Sequence, residues 1–389
     1  MKHSSIIGLI LFLLINTSSF GANKDVYWGW AQSPVTNELK ALKINAFSDI
    51  YIGVWGDGIY KSDDGGKVFI NKSTGLTNLY ITSIQIDSSG ALWVTTYGGG
   101  AFRSYDDGFS WSPVNSGLTD LNVKDIVFDN DGDGFIATKS KGIFFLQKGT
   151  SNWKAVNYKL HYHDINTLIS IKSNGAILAG TNGGGIYRSR DKGQTWEKAN
   201  TGIKVGIIND FYEDDLLVYV ATLGQGILHS LADGSSWSNS TETKDMPLNP
   251  TCITKNKNSE MVVGTIDDGV WYYDKWNQDK WRKSAHVDNG VSAIATLPTG
   301  EIFALVTADG LRRSTDNGLN FYFMTFKFMD IIKEIIADGN TLYCLVDTIP
   351  WRSDDRGDTW KKLKVTAPAT RATCLCLDST KAFYIGTNK

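Results

Sequence analysis

A chain of 389 residues with 42% hydrophobic, 12% aromatic and 21% charged positions can bury a sizeable core, which excludes a disordered polypeptide. Its formal net charge of −2, without any basic block, argues against nucleic acid as a partner. Thirty-nine Gly and 13 Trp against only 7 Pro suit many short strands joined by tight turns.

The chain opens with a leader. Lys2 and His3 precede the apolar run IIGLILFLLI (6–15), followed by NTSSF and small residues. That order describes a secretory signal peptide, 1–22, cleaved near Gly21 or Ala22. The apolar run is short for a bilayer anchor, and no Cys follows it to carry a lipid. No later stretch is long, apolar and uncharged, so the mature chain, 23–389, is expected in the periplasm or outside the cell without membrane insertion. Removing Lys2 with the leader leaves 38 basic against 41 acidic residues, a net of −3. Export permits disulfides. Yet Cys374 and Cys376 lie two apart on one expected strand, and nothing pairs Cys252 with Cys344, so all four read as small buried hydrophobes.

The remainder is periodic. Nearly the same ten letters recur as YKSDDGGKVF (60–69), FRSYDDGFSW (102–111), YRSRDKGQTW (187–196), RRSTDNGLNF (312–321) and WRSDDRGDTW (351–360). Degenerate copies end at Trp153, Trp237 and Trp281. The closing aromatics Phe69, Trp111, Trp153, Trp196, Trp237, Trp281, Phe321 and Trp360 stand 42, 42, 43, 41, 44, 40 and 39 residues apart. Within a copy, 81–115 for instance, ITSIQID, ALWVTTY, AFRS and FSWSPV read as four strands separated by SSG, GGG and DDG turns. Gly recurs between the second and third strands, as GDG, GGG, SKG, NGGG, GQG, DDG and ADG, where a positive φ is needed. Four short strands per period of about 42 residues describe a propeller blade. The expected fold is all-β, a single monomeric propeller of four-stranded antiparallel blades. Eight complete copies predict eight blades. Seven and nine are the alternatives, because 374–387 supplies two strands of another copy and Trp30 resembles the tail of one more.

The recurrent S-x-D-x-G-x-x-[WF] stretch falls on the hairpin between third and fourth strands. Ser and Asp can bond the backbone of their own turn, and the closing aromatic fills core. This pattern resembles the Asp-box, or bacterial neuraminidase repeat. It is carried by Ser62-Asp64-Gly65-Phe69, Ser104-Asp106-Gly108-Trp111, Ser189-Asp191-Gly193-Trp196, Ser314-Asp316-Gly318-Phe321 and Ser353-Asp355-Gly357-Trp360, with Ala232 replacing Asp in a sixth copy. The resemblance covers almost the whole mature chain. It implies kinship with sialidases, xyloglucanase-like hydrolases, sortilin-like receptors, photosystem-assembly-factor-like proteins or propeller sensors. It also implies a structural box on the face away from the ligand.

Propeller geometry gathers the loops leading into each first strand, and those between second and third strands, on one face. Trp55, Asp57, Tyr80, Tyr97, Asp120, His161, His163, Asp164, Asp288, Asp330 and Arg371 are the candidates there, with Lys139 and Asn182 beside them and Lys124, Asn166, Asn209 and Lys333 on the first strands. A polar, aromatic-edged face suits a carbohydrate or a protein segment. A sialidase needs an arginine cluster, and only Arg371 falls naturally on this face. A glycoside hydrolase needs two carboxylates, which Asp120, Asp164, Asp288 and Asp330 could supply. DNDGDG (129–134) starts like a calcium loop, with Asp129, Asp131 and Asp133, but Ser140 stands where such a loop ends in Glu; an Asp/Gly turn is the simpler reading, and no cofactor is required. His161 and His163 have no third metal ligand. The expected function is a non-catalytic exported module for assembly, sensing or adhesion; the alternative is a glycoside hydrolase using an Asp pair on the same face.

Overall fold

A computed structural model describes residues 39–323, apart from 215–216, 232, 240–248, 276–279 and 308. Beyond these it describes 327–329, 332–338, 341–346, 349–354, 361–363, 371–377 and 383–388. The leader, Trp30, Asp330, Asp355 and Trp360 lie outside the described residues. Two compact units divide the chain, Pro34–Ile331 and a second comprising Met1–Ser33 and Ile332–Lys389. No helix among the described residues is long and apolar enough to cross a membrane.

The first unit is a ring of seven antiparallel sheets. Their first strands are Leu39–Ile44, Ile81–Ile86, Val123–Phe128, Ile165–Ser170, Ile208–Glu213, Pro250–Lys255 and Val291–Thr296, which number blades 1 to 7. Six blades have four strands in simple meander order. In blade 5 the fourth strand is reduced to a bridge between His229 and Ser238. Second strands such as Leu92–Thr96 and Gly134–Thr138 are buried along their entire length, because a neighbouring sheet covers each face; first strands alternate buried and half-buried residues. An apolar run bounded by Gly marks the former, and partial alternation the latter.

The ring closes after seven blades, not eight. Leu39, Ile50, Val54 and Tyr60 of blade 1 share one core with Leu297, Phe303, Leu305 and Leu311 of blade 7. Ser292 Oγ of blade 7 donates to the Leu39 carbonyl at 2.7 Å. Lys327–Met329 then adds a parallel strand outside Val68–Asn71 of blade 1. Blade 1 therefore has blade 7 on its open flank, and no gap remains for an eighth. The eighth copy folds instead within the second unit, as the four-stranded sheet Ile332–Asp338, Thr341–Val346, Ile349–Ser353 and Lys361–Lys362, followed by the hairpin Arg371–Leu377 and Phe383–Asn388. Eight copies obey one local grammar, and that grammar does not encode where the ring shuts.

Every first strand in the ring carries a β-bulge at its second residue: Lys40, Thr82, Lys124, Asn166, Asn209, Thr251 or Ser292. A bulge expels one residue from the ladder and leaves backbone groups to be satisfied elsewhere. Five of these residues donate across to the carbonyl just before the bulge in the next blade: Thr82 to Val123, Asn166 to Ile208, Asn209 to Pro250, Thr251 to Val291 and Ser292 to Leu39, at 2.5–3.0 Å. One residue further on, Asp125 accepts from the Leu168 amide and Asp210 from the Ile253 amide, both at 2.9 Å. Desolvation outweighs these bonds. It raises the Asp125 carboxyl above its ordinary range and pushes Asp210 up to about 7.

The hairpin boxes have one geometry. Ser62, Ser104, Ser189 and Ser314 donate to Asp64, Asp106, Asp191 and Asp316 at 2.7–2.8 Å. The same Ser oxygens accept the amides of Gly66, Gly108, Gly193 and Gly318. In the first copy the glycine that docks on Ser62 is thus Gly66, not Gly65, because the spacing from Ser must be four. The closing aromatics do more than fill core. The indole N–H groups of Trp111, Trp153, Trp196 and Trp237 donate to the carbonyls of Lys72, Val114, Val156 and Ala199, at 2.6–2.9 Å. Each acceptor lies at the outer end of the preceding blade, so each box staples a joint. Cys252 is free and buried, as expected.

Trp153→Phe keeps most of the buried ring but leaves the Val114 carbonyl without its donor. The expected loss is about 1–3 kcal/mol in urea denaturation, against about 3–5 kcal/mol for Trp153→Ala. Asp210 supplies a pH test. Its carboxyl binds a proton more tightly folded than unfolded, so its contribution to stability falls as pH rises from about 4 to about 7. Asp210→Asn is expected to match wild type at pH 4 and to exceed it at pH 8 by roughly 2–4 kcal/mol, read from denaturation midpoints.

Candidate functional site

The face opposite the boxes is built on a backbone belt. Between second and third strands, Gly58, Gly100, Gly142, Gly185, Gly226, Gly269 and Gly310 all have φ between 71° and 92°, as the repeated glycines predict. Thr96, Thr138, Thr181, Thr222 and Thr265 close these turns by donating their hydroxyls to the carbonyls of Gly100, Gly142, Gly185, Gly226 and Gly269. In blades 1 to 4, amides of the turn also donate to the lead-in loop of the next blade: Gly56 and Gly58 to Leu79, Gly98 and Gly100 to Leu121, Gly142 to His163, and Gly183 and Gly185 to Gly206. The main chain of this face is therefore fixed and its hydrogen-bonding capacity largely spent.

Side chains stand on this belt in blade register. Trp55, Tyr97, Lys139 and Asn182 occupy one position in blades 1 to 4, and Leu223, Ile266 and Thr307 the same position in blades 5 to 7. Tyr80, from the lead-in to blade 2, lies between the first two. The Trp55 and Tyr80 rings meet edge to face with centroids 5.2 Å apart, and Trp55 is 5.8 Å from Tyr97. Both tyrosines keep an open face, with 46% and 37% of their surface exposed. Lys139 Nζ lies 5.1 Å from the Tyr97 ring centroid and donates to the Tyr97 hydroxyl at 2.7 Å. That hydrogen bond raises the Lys139 pKa, with Asp164 and Asp120 adding a weaker pull from a distance. Neighbouring Lys124 pairs with Asp164 and donates to Asn166 Oδ1 at 2.8 Å, and Asn182 Nδ2 donates to the other Asp164 oxygen at 2.9 Å.

Several candidates are engaged by the protein's own groups. Asp120 accepts from Asn122 and from both the amide and the hydroxyl of Ser140, at 2.7–3.1 Å. Burial would raise its carboxyl, but these bonds win and hold it below the ordinary range, the wrong direction for a general acid. Asp57 accepts from Tyr60. Asp288 is exposed and pairs with Lys283. His161 and His163 are exposed on either side of Tyr162, whose ring covers Gly183 and Gly184. Arg371 opens a strand of the second unit, and Asp330 lies outside the described residues. Sequence reasoning missed the Asn115, Asn157 and Asn200 clasps, which bond an amide and a carbonyl flanking the turns of blades 2 to 4. Each stands four residues after a closing Trp, a signal that was there to be found.

Asp129, Asp131 and Asp133 do converge, at the box end of the ring. A cation from the chain already meets them. Lys192 of the blade 4 box reaches Asp131 and Asp133 at 2.6 Å and Asp129 at 3.5 Å. Its pKa is raised, first by Asp131 and then by Asp133. The triad is an inter-blade ion lock, and calcium would have to displace the ammonium.

The two-component regulator propeller model matches residues 75–98, a segment that contains both Tyr80 and Tyr97. Among solved structures, the chain is similar to the extracellular domain of a putative one-component system from B. thetaiotaomicron, at 15% identity and TM-score 0.59 over 90% of this chain and 50% of that one. It is also similar to an ancestral GH74 enzyme, at 13% identity and TM-score 0.58 over 87% and 56%, and to YCF48 bound to D1 peptide, at 14% identity and TM-score 0.55 over 73% and 95%. The likeness is one of fold, and the chain spans about half the length of the first two. No curated protein sequence matches it.

Lys192→Met leaves three converging carboxylates without their counterion. It should cost about 1–2 kcal/mol in thermal unfolding, and millimolar calcium should restore part of that loss while leaving the wild-type midpoint unchanged.

Proposed function

We propose that this chain is an exported, non-catalytic Asp-box propeller. It binds a glycan, polymer or protein partner through the lead-in face of its seven-bladed ring, as an assembly, sensing or adhesion module. The observation that carries this reading is the ledge of half-buried Trp55 and exposed Tyr80 and Tyr97, standing on a fixed backbone belt. Rigid aromatic surface with few polar neighbours is what a binding site uses to gain affinity at low entropic cost. The leader supports export, and the likeness to extracellular domains of sensor-type proteins agrees with a module that recognises and does not transform.

The hydrolase alternative draws on the GH74 likeness. Against it, Asp120 is locked in a turn and held low, and Asp164 is neutralised by Lys124. An inverting or retaining pair needs one carboxyl kept protonated opposite one kept charged.

A glycan array, a peptide array and a panel of chromogenic glycosides applied to the mature chain test the proposal. Retention without turnover is expected, with affinity falling at least tenfold in Trp55→Ala and Tyr80→Ala variants that melt within a few degrees of wild type. Turnover that disappears in Asp120→Asn or Asp164→Asn would overturn it.

A further inference from the structure

The ledge ends on a charge that no ion pair holds. Lys139 forms no ion pair among the described residues. Its neighbours Asp120 and Asp164 act on it only from a distance; the first accepts from Ser140 and Asn122, the second from Lys124 and Asn182. The ammonium is not adrift either, because the Tyr97 hydroxyl holds it at the end of the ring. An anchored, solvent-facing ammonium beside two exposed aromatic rings offers its two remaining donors and a positive charge to a bound molecule.

Ligand classes fare differently on this surface. An extended peptide binds best by pairing its backbone with an open strand edge, and the belt amides of Gly56, Gly58, Gly98, Gly100, Gly183 and Gly185 already donate to the chain's own carbonyls. A nucleic acid strand needs a track of cations along its phosphates. Here the molecule has a net negative charge, and Lys139 is the one cation at its position around the ring, where blades 4 to 7 hold Asn182, Leu223, Ile266 and Thr307. A short saccharide fits better: sugar rings present flat C–H faces to aromatic side chains, and a single carboxylate meets a single ammonium.

Resting on the binding-module reading above, we infer that the ligand is an oligosaccharide carrying one uronic acid, with sugar rings stacked along Trp55, Tyr80 and Tyr97 and its carboxylate paired with Lys139. Trp55 and Tyr80 supply affinity for any sugar of suitable shape. Lys139 selects the acidic one. Tyr97 does both, as a stacking surface and as the hydroxyl that holds the ammonium in place.

The test is an array of oligosaccharides in matched pairs, each differing only by glucuronate for glucose, followed by calorimetry on the full mature chain with whichever pair is retained; oligouridylate and a random peptide pool serve as counter-probes. The acidic member should bind at least tenfold more tightly than its neutral partner. Lys139→Gln should erase that preference while leaving the neutral sugar's affinity within twofold, and Tyr97→Phe should weaken it by freeing the ammonium. Trp55→Ala should lower both affinities at least tenfold. Raising salt from 50 to 500 mM should narrow the preference, since it screens a surface ion pair. Equal binding of both members, sensitive to Trp55→Ala, would overturn the uronate assignment and leave the binding module standing. Retention of oligouridylate or peptide alone would overturn the saccharide class. Retention of none of the probes would count against both.

Discussion

The ring stands on one constraint: every first strand is interrupted by a bulge, and the residue it expels must find a partner in the next blade. Thr82, Asn166, Asn209, Thr251 and Ser292 each reach the carbonyl that precedes the neighbour's bulge. The defect of one sheet is thereby repaired by the adjacent one, and a blade alone could not satisfy its own backbone. This makes the ring cooperative around its axis. At the rim four box tryptophans do the same with indole donors, so the joints between blades 2 and 3 and between blades 4 and 5 are held at both inner and outer ends.

That division of labour separates stability from recognition. The box end gathers the turn-closing Ser and Asp residues, the indole staples and the Lys192 ion lock. The opposite end has its backbone amides spent on a belt, and what projects from it is a sequence of side chains in blade register. The scaffold repeats and these side chains do not: Trp, Tyr, Lys and Asn follow one another at one structural position, then Leu, Ile and Thr. A ring with sevenfold geometry and unequal occupants presents one distinctive sector, blades 1 to 4, and the candidate ligand-binding surface lies there. Carboxylates on this face have been drawn into turns and ion pairs, which suits a surface that holds its ligand more than one that cleaves it.

Much of this was legible in the residues. A period of about 42, the glycines that require positive φ and the boxes together determined the blade, its four strands and the end on which loops would gather, because all three are local requirements of turns and strands. Trp55, Tyr80, Tyr97 and Lys139 could be assigned to one face by their place in the period. The clasping role of Asn115, Asn157 and Asn200 was equally local and went unread, since its partners are backbone atoms that a pattern of side chains does not display.

Tertiary structure alone decided the rest. Seven of eight equivalent copies close the ring because blade 7 packs its apolar face on blade 1, an outcome set by the angle between sheets and invisible to any single repeat. The calcium-like Asp129, Asp131 and Asp133 meet Lys192 from some sixty residues away, and Asp120 and Asp164, alike on paper as catalytic candidates, are claimed by Ser140 and Lys124. The sequence by itself determined which residues share an end of a blade, through the periods of strand and turn. Only the folded ring determined which charges are paired and that Lys139, beside the aromatic ledge, is not, because pairing depends on distances across blades that no periodicity records.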